Sequence, residues 1–267
     1  MNSFLHFISK HRNISKIICT ILLGVYSFIL LGVLLDASIK SCIVCFVLMN
    51  LFLYMWIDMT PNVIMSRTVK DLYEKCDPYP LLSETGKLLT YKNSKSIKDL
   101  IMMNHAVGLS DTGKYQEAYD LQKSINIDKR YVPLHKCIYY HNLFEFCMNL
   151  EKYEEAGIWY EKFVQVCADT KSKRDKKALE SLMIVSKAME EYRKGEYLAS
   201  INTINTRAPK NARENVSNAM TYAMSCIALG ENEKAADALA IVIRNGNRLY
   251  CVNEAAAMLR KIRGIEE

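Results

Sequence analysis

Apolar positions along this chain fall into two regimes. In the first sixty or so residues they form dense blocks. Beyond them they recur every three to four positions, the period of a helix with one buried face. The first block, Ile17 to Leu35, carries no charge. At about 1.5 Å per residue it covers about 28 Å, enough for a bilayer core. The second, Cys42 to Ile57, is shorter and also uncharged, with Tyr54 and Trp56 where interfacial aromatics belong. The pattern predicts two membrane spans joined by Asp36-Ala37-Ser38-Ile39-Lys40-Ser41. Lys10, Arg12 and Lys16 precede the pair, and Arg67, Lys70 and Lys75 follow it. That asymmetry predicts a multi-pass protein of the cell membrane with both termini cytoplasmic. A cleavable signal peptide would have a shorter apolar centre and a small-residue exit. The alternative is the buried core hairpin of a soluble protein.

After Pro61, which can open a helix, Val63, Ile64, Val69, Leu72 and Tyr73 outline a weakly amphipathic helix. Asp77-Pro78-Tyr79-Pro80 breaks it. Leu81, Leu82, Leu88 and Leu89 outline a capping helix, and residues 91–95 read as a polar connection. A helix–turn–helix grammar then repeats. Between Ala106 and Ala118 an apolar helical pattern meets a glycine turn, and a second helix opens with a small residue. The aligned positions are Gly113, Tyr115 and Ala118, then Tyr153, Ala156 and Tyr160, with Glu151 in the glycine's place. Gly195, Tyr197 and Ser200 follow, and last Gly230, Asn232 and Ala235. The units are spaced at roughly 35 to 44 residues, against about 34 for a tetratricopeptide unit. Ala255, Ala256, Leu259 and Ile262 outline one further helix that caps the array or folds back into its groove. Arg260, Lys261 and Arg263 near its end suit the helix dipole.

These units resemble tetratricopeptide repeats in the turn glycine, the tyrosine after it and the small residue opening the second helix. They also share a small residue midway along the first helix, at Ala106, Ala188 and Ala223, with Phe144 at that place in the second unit. The whole chain resembles bacterial membrane proteins with two amino-terminal spans and a carboxy-terminal tetratricopeptide domain. The expected fold is therefore all-α: a transmembrane helical hairpin, then a tetratricopeptide-like α-solenoid of about four helix pairs with flanking helices. The expected divisions are a basic leader (1–16), the hairpin (17–57), juxtamembrane and capping helices (58–95), repeats (96–248) and a C-terminal cap (249–267).

In the resembled family the first helices of the units line a concave groove. Carried over to this chain, that groove comprises Met103, Asn104, Val107, His141, Asn142, Glu145, Met148, Val185, Met189, Tyr192, Met220, Met224 and Ile227. The set is rich in methionine, which adapts to varied apolar partners. The alternative is that these methionines are core. Asn104 and Asn142 resemble the asparagine of grooves that hold a peptide carboxylate, but the lysine and arginine partners of that clamp are missing from the aligned positions. An apolar peptide or helix is the expected occupant.

Charge and chemistry narrow this picture. A net charge of +6 is too mild an excess to argue for nucleic acid. Nine cysteines scattered through apolar helical positions read as reduced, buried thiols. Cys42-Ile43-Val44-Cys45 has dithiol spacing, yet apolar filling is its simpler reading. His135, Cys137 and His141, with Cys147 beyond, are metal-like in type; Cys137 and His141, four apart, share a helical face, but His135 and Cys147 point elsewhere on an ideal helix. Residues 171–177 form a basic run, expected as a solvated helix start or a contact for anionic lipid or an acidic partner. No metalloprotease, P-loop, nucleophile-elbow or dinucleotide motif occurs. The sequence thus points to a non-enzymatic scaffold or adaptor, anchored in the bilayer through residues 17–57. It would bind a protein or peptide in its groove on the cytosolic side, without cofactor or small-molecule substrate. A peptide sensor whose solenoid changes shape on groove occupancy is the alternative. A thiol oxidoreductase at Cys42 and Cys45 is a third reading.

Overall fold

The structure, a computed structural model, describes residues 2–29, 39–127 and 131–264, which form thirteen helices and no strand. The chain divides into two compact units. One comprises Met1–Arg67 with Glu84–Ile101, the other Thr68–Ser83 with Met102–Glu267.

In the first unit, α1 (Asn2–Lys10), α2 (Arg12–Ser27) and α3 (Ile39–Lys75) precede parts of α4 (Tyr79–Leu89) and α5 (Lys95–Asp111). Leu5, Ile64, Met65, Leu88 and Ile101 form its core. The expected leader is helical, and His6 of α1 pairs with Glu84 and meets the Tyr91 hydroxyl at 2.9 Å. Along α2 and α3 the contacts run antiparallel. A Cβ on Gly24 would meet the Phe46 ring at 3.4 Å, Thr20 bonds Tyr54 at 2.6 Å, and Lys16 bonds Asp58 at 2.9 Å. The remaining faces are apolar and exposed, with Ile17, Ile21 and Val25 on α2 and Leu48, Leu51 and Met55 on α3.

The two-span expectation does not survive. Among the described residues one helix, Ile43–Lys75 with a mean hydropathy of 1.8, is long and apolar enough to cross a membrane. The first apolar block is described only as far as Ile29, and α2 has 16 residues. Residues 30–38, with the predicted Asp36-Ala37-Ser38 link, lie outside the described residues. The inference that both termini are cytoplasmic rested on an even number of crossings and falls with it. Pro61 also does not open a helix but lies inside α3. Proline lacks the N–H that would serve the carbonyl four residues earlier. Here the Thr60 hydroxyl donates to that Ile57 carbonyl at 2.7 Å.

The second unit is repeat-like. After α5 and α6 (Tyr115–Lys123) come the pairs α7 (Pro133–Asn149) with α8 (Tyr153–Asp169), α9 (Lys173–Arg193) with α10 (Tyr197–Ile204), and α11 (Ala212–Ala228) with α12 (Asn232–Asn245). The first helices of successive pairs also touch, α7 on α9 and α9 on α11. The small residues predicted to admit close helix approach, Ala118, Ala156, Ser200 and Ala235, are fully buried, as are Ala106, Ala188 and Ala223. The basic run is the exposed start of α9, where Ser172 accepts from the Asp175 N–H at 3.2 Å.

Each pair turns on the same hydrogen bonds. Lys114 N–H donates to Leu109 O, Lys152 to Cys147 O, Glu196 to Glu191 O and Glu231 to Cys226 O, at 2.8–3.0 Å. This six-to-one bond closes a helix through a left-handed residue. That residue is Gly113, Gly195 or Gly230 in three turns (φ +83°, +81° and +77°), but Glu151 (φ +56°) in the fourth. After the last pair the chain returns to the first turn. Tyr250 N–H donates to Asp111 O at 2.9 Å, and a Cβ on Gly113 would lie 2.6 Å from the Tyr250 ring. Thus α13 (Cys251–Ile262) packs on α12 while its entry is pinned to the α5–α6 turn.

A side chain in the left-handed region costs about 1 kcal/mol or more. Glu151→Gly is therefore expected to raise unfolding stability by about 1 kcal/mol, and Gly195→Ala to lower it by a similar amount. No atom lies within 4 Å of a Cβ at Gly195, so the second change isolates the backbone. Denaturant unfolding of both variants measures this, and equal stability in all three proteins would contradict the turn assignment.

Candidate functional site

The C-terminal ends of α5, α7 and α9, with α11 and α13, line a cavity of about 230 Å³ in the second unit. Methionine dominates its apolar lining: Met148 from α7, Met189 from α9, Met220 and Met224 from α11, and Met258 from α13. Of the groove expected from sequence, Glu145, Met148, Met189, Tyr192, Met220 and Met224 line this cavity. The other positions do not. Met103, His141 and Asn142 are buried, Val107 and Ile227 pack against the hydrophobic clusters, and Asn104 and Val185 are half-buried elsewhere. The cavity lies one to two turns further along α5 and α7 than the resemblance placed it. The reason is that α13 docks at the turn end of the first pair and walls that end of the surface.

Beneath and beside the methionines runs a polar network. Arg213 on α11 grips Asp111 at the end of α5 with both arms of its fork, Nε to Oδ2 and a terminal nitrogen to Oδ1, each at 2.9 Å. The same guanidinium lies 3.6 Å from Glu145 on α7 and stacks over the Tyr73 ring at 5.6 Å. Glu145 in turn approaches His141 Nε2 at 3.5 Å, and His141 Nδ1 meets the Ser186 hydroxyl of α9 at 2.7 Å. One chain of contacts therefore ties α5, α7, α9 and α11 together.

Electrostatics fix the charge states. Burial works against the Arg213 charge, but Asp111 and Glu145 outweigh it and hold its pKa well above the ordinary value. Burial alone would raise Glu145, yet the hydrogen bond from His141 and the Arg213 charge bring its pKa down to about 2. On the α13 wall the Tyr115 hydroxyl donates to Glu254 at 2.9 Å, and burial raises the Glu254 pKa against that bond. Burial and the Asp111 charge push the Cys251 thiol up to about 12, so it stays protonated. Ser186, His141 and Glu145 are residue types of a hydrolytic relay, but Ser186 is fully buried and does not line the cavity.

Sequence reading missed Asp111, Arg213, Glu254 and Met258. Asp111 and Arg213 stand 102 positions apart, so no local period marks their pairing. Met258 had a local signal, since it shares the amphipathic pattern of the last helix. The metal-like residues have other neighbours. Cys137 contacts Cys167, whose thiol donates to it at 3.1 Å, His141 turns to Ser186, and Cys147 sits in a different apolar cluster. The Cys42 side chain lies outside the described residues.

Because the folded-state pKa of Glu145 lies near 2, below the usual carboxylate value of 4.5, its contribution is complete above about pH 4.5. It is lost as pH falls toward 2. The linked stability is about 3 kcal/mol at about 1.4 kcal/mol per unit. Glu145→Gln is expected to flatten the acid side of the stability profile between pH 4.5 and 2, as measured by urea unfolding at each pH. An unchanged acid slope would contradict the assigned charge state.

No protein-family model matches the chain, and no curated protein or solved structure matches it either.

Proposed function

We propose that the chain is a non-enzymatic scaffold. Its second unit, a helix array of tetratricopeptide type, holds a protein or peptide segment, and its first unit tethers it to a bilayer. The observation carrying the first part is the cavity itself, where methionines from four different helices line one space beside a fixed polar network. At about 230 Å³ it is smaller than the roughly 300–1,000 Å³ usual for small-molecule and cofactor pockets. It suits a few apolar side chains of a docked segment, and flexible thioethers adapt to their shapes. The tether draws on the long apolar α3 and the exposed apolar faces of α2 and α3. Confinement at a membrane raises the effective concentration of whatever the cavity holds.

The sensor reading has one observation in its favour. The α13 wall is joined to the first pair by Tyr250 and by the Tyr115–Glu254 bond, so an occupant that displaces α13 would change the shape of the unit. A change in hydrodynamic radius on peptide binding distinguishes sensor from scaffold.

The proposal is tested in cells with the full chain carrying a photo-crosslinker at Met189, or at the exposed Leu198 as control. The carbonate-resistant membrane fraction is then analysed. A discrete adduct from Met189 and none from Leu198 is expected in that fraction. Recovery of the chain in the soluble fraction would contradict the tether. Capture by Met189 of the chain's own α13 alone would contradict an open cavity.

A further inference from the structure

We infer that the occupant of the methionine-lined cavity is a cationic amphipathic segment, whose apolar side chains seat on the methionines while a lysine or arginine meets the carboxylates of the lining. This inference rests on the peptide-holding reading above and adds the chemistry of the partner.

The charge lining the cavity runs against that of the chain. Overall the protein carries a net charge of +6. The cavity, however, is lined by Asp111, Glu145, Glu151 and Glu254, and the cation among its lining residues is Arg213. That guanidinium is already used, because both arms of its fork are bound to Asp111. It therefore has no free fork for the terminal carboxylate of a peptide, and an acidic segment would meet carboxylates without a compensating cation. Glu145 lies 3.6 Å from Arg213 and 3.5 Å from His141 Nε2, so it is already partnered. Glu254 accepts a neutral tyrosine hydroxyl rather than a cation. Glu151 is exposed at the left-handed turn between α7 and α8 and makes no ion pair among the described residues.

Glu151 and Glu254 thus flank the apolar floor with no ion pair among the described residues. A neutral apolar ligand would leave them uncompensated and partly desolvated, which costs free energy. A ligand that brings its own cation along an apolar face satisfies both parts at once. Helix-in-groove recognition places apolar anchors on one side and charges at their flank. Complementary charge adds specificity and a salt-sensitive association rate.

The test uses the full-length chain in detergent micelles and three fluorescent synthetic helices that share one leucine face. Their flanking positions carry lysine, glutamine or glutamate, and binding is read by anisotropy. The lysine helix is expected to bind at least about tenfold more tightly than the glutamate helix at low salt, with the gap narrowing as salt rises. Glu151→Lys, at an exposed position the fold tolerates, is expected to shrink that preference several-fold, and Glu254→Gln to shrink it as well. Met189→Gln, which removes the apolar seat without adding charge, is expected to weaken all binding at the cavity. Equal affinity for the three helices, lost in Met189→Gln, would keep the cavity as a peptide site and overturn the charge inference. Binding of none of them would overturn the peptide-holding reading itself. A lysine preference untouched by Glu151→Lys, Glu254→Gln and Met189→Gln would place the peptide elsewhere and overturn the inference.

Discussion

One guanidinium sets the geometry of the second unit. Arg213 comes from the last of the four helix pairs, grips Asp111 at the end of the first and reaches Glu145 in the second. His141 extends the connection to Ser186 in the third. Apolar packing among helices of similar pitch tolerates several registers, whereas a bidentate fork tolerates one. Burying three charges is costly, and replacing such a group by apolar residues is often neutral for stability. What the network contributes is a single arrangement of α5, α7, α9 and α11. The cavity inherits that arrangement, because Met148, Met189 and Met220 stand within two turns of Glu145, Ser186 and Arg213 on the same helices.

Much of the repeat is legible in the amino-acid sequence. A glycine followed two residues later by tyrosine, then a small residue, marks a turn whose hydrogen bonds are local. Local chemistry is what a sequence displays. Glu151 breaks the glycine pattern, yet its turn has the same bonds with a left-handed glutamate. The flanking backbone bonds, Glu151 N–H to Met148 O and Lys152 N–H to Cys147 O, hold that conformation. The methionine surface is legible in composition and partly in position. Its register is not, because α13 walls the turn end of the cavity through contacts far away in sequence. The Asp111–Arg213 pairing, 102 positions apart, leaves no trace in any window of the chain.

The amino-terminal half gives the opposite lesson. Hydropathy alone suggests two spans, but among the described residues the structure supports one long apolar helix that continues through a proline. The Thr60 hydroxyl supplies the bond that Pro61 withholds, and a reading that treats proline only as a helix opener misses this. Apolar exposure on α2 and α3 and acidic lining in the cavity describe two different solvents for one chain. The first underlies the proposed tether, and the second the proposed cationic partner.

The coupling between Asp111 and Arg213 carries the arrangement of the four pairs. A double-mutant cycle with Asp111→Asn, Arg213→Met and the pair, read by denaturant unfolding, measures it most directly. Each single change is expected to cost about 3–5 kcal/mol by stranding a buried charge or its partner, and the double variant to recover much of that loss. Single costs that simply add, with no recovery in the double variant, would show that the pair does not organise the helices and would contradict its central role.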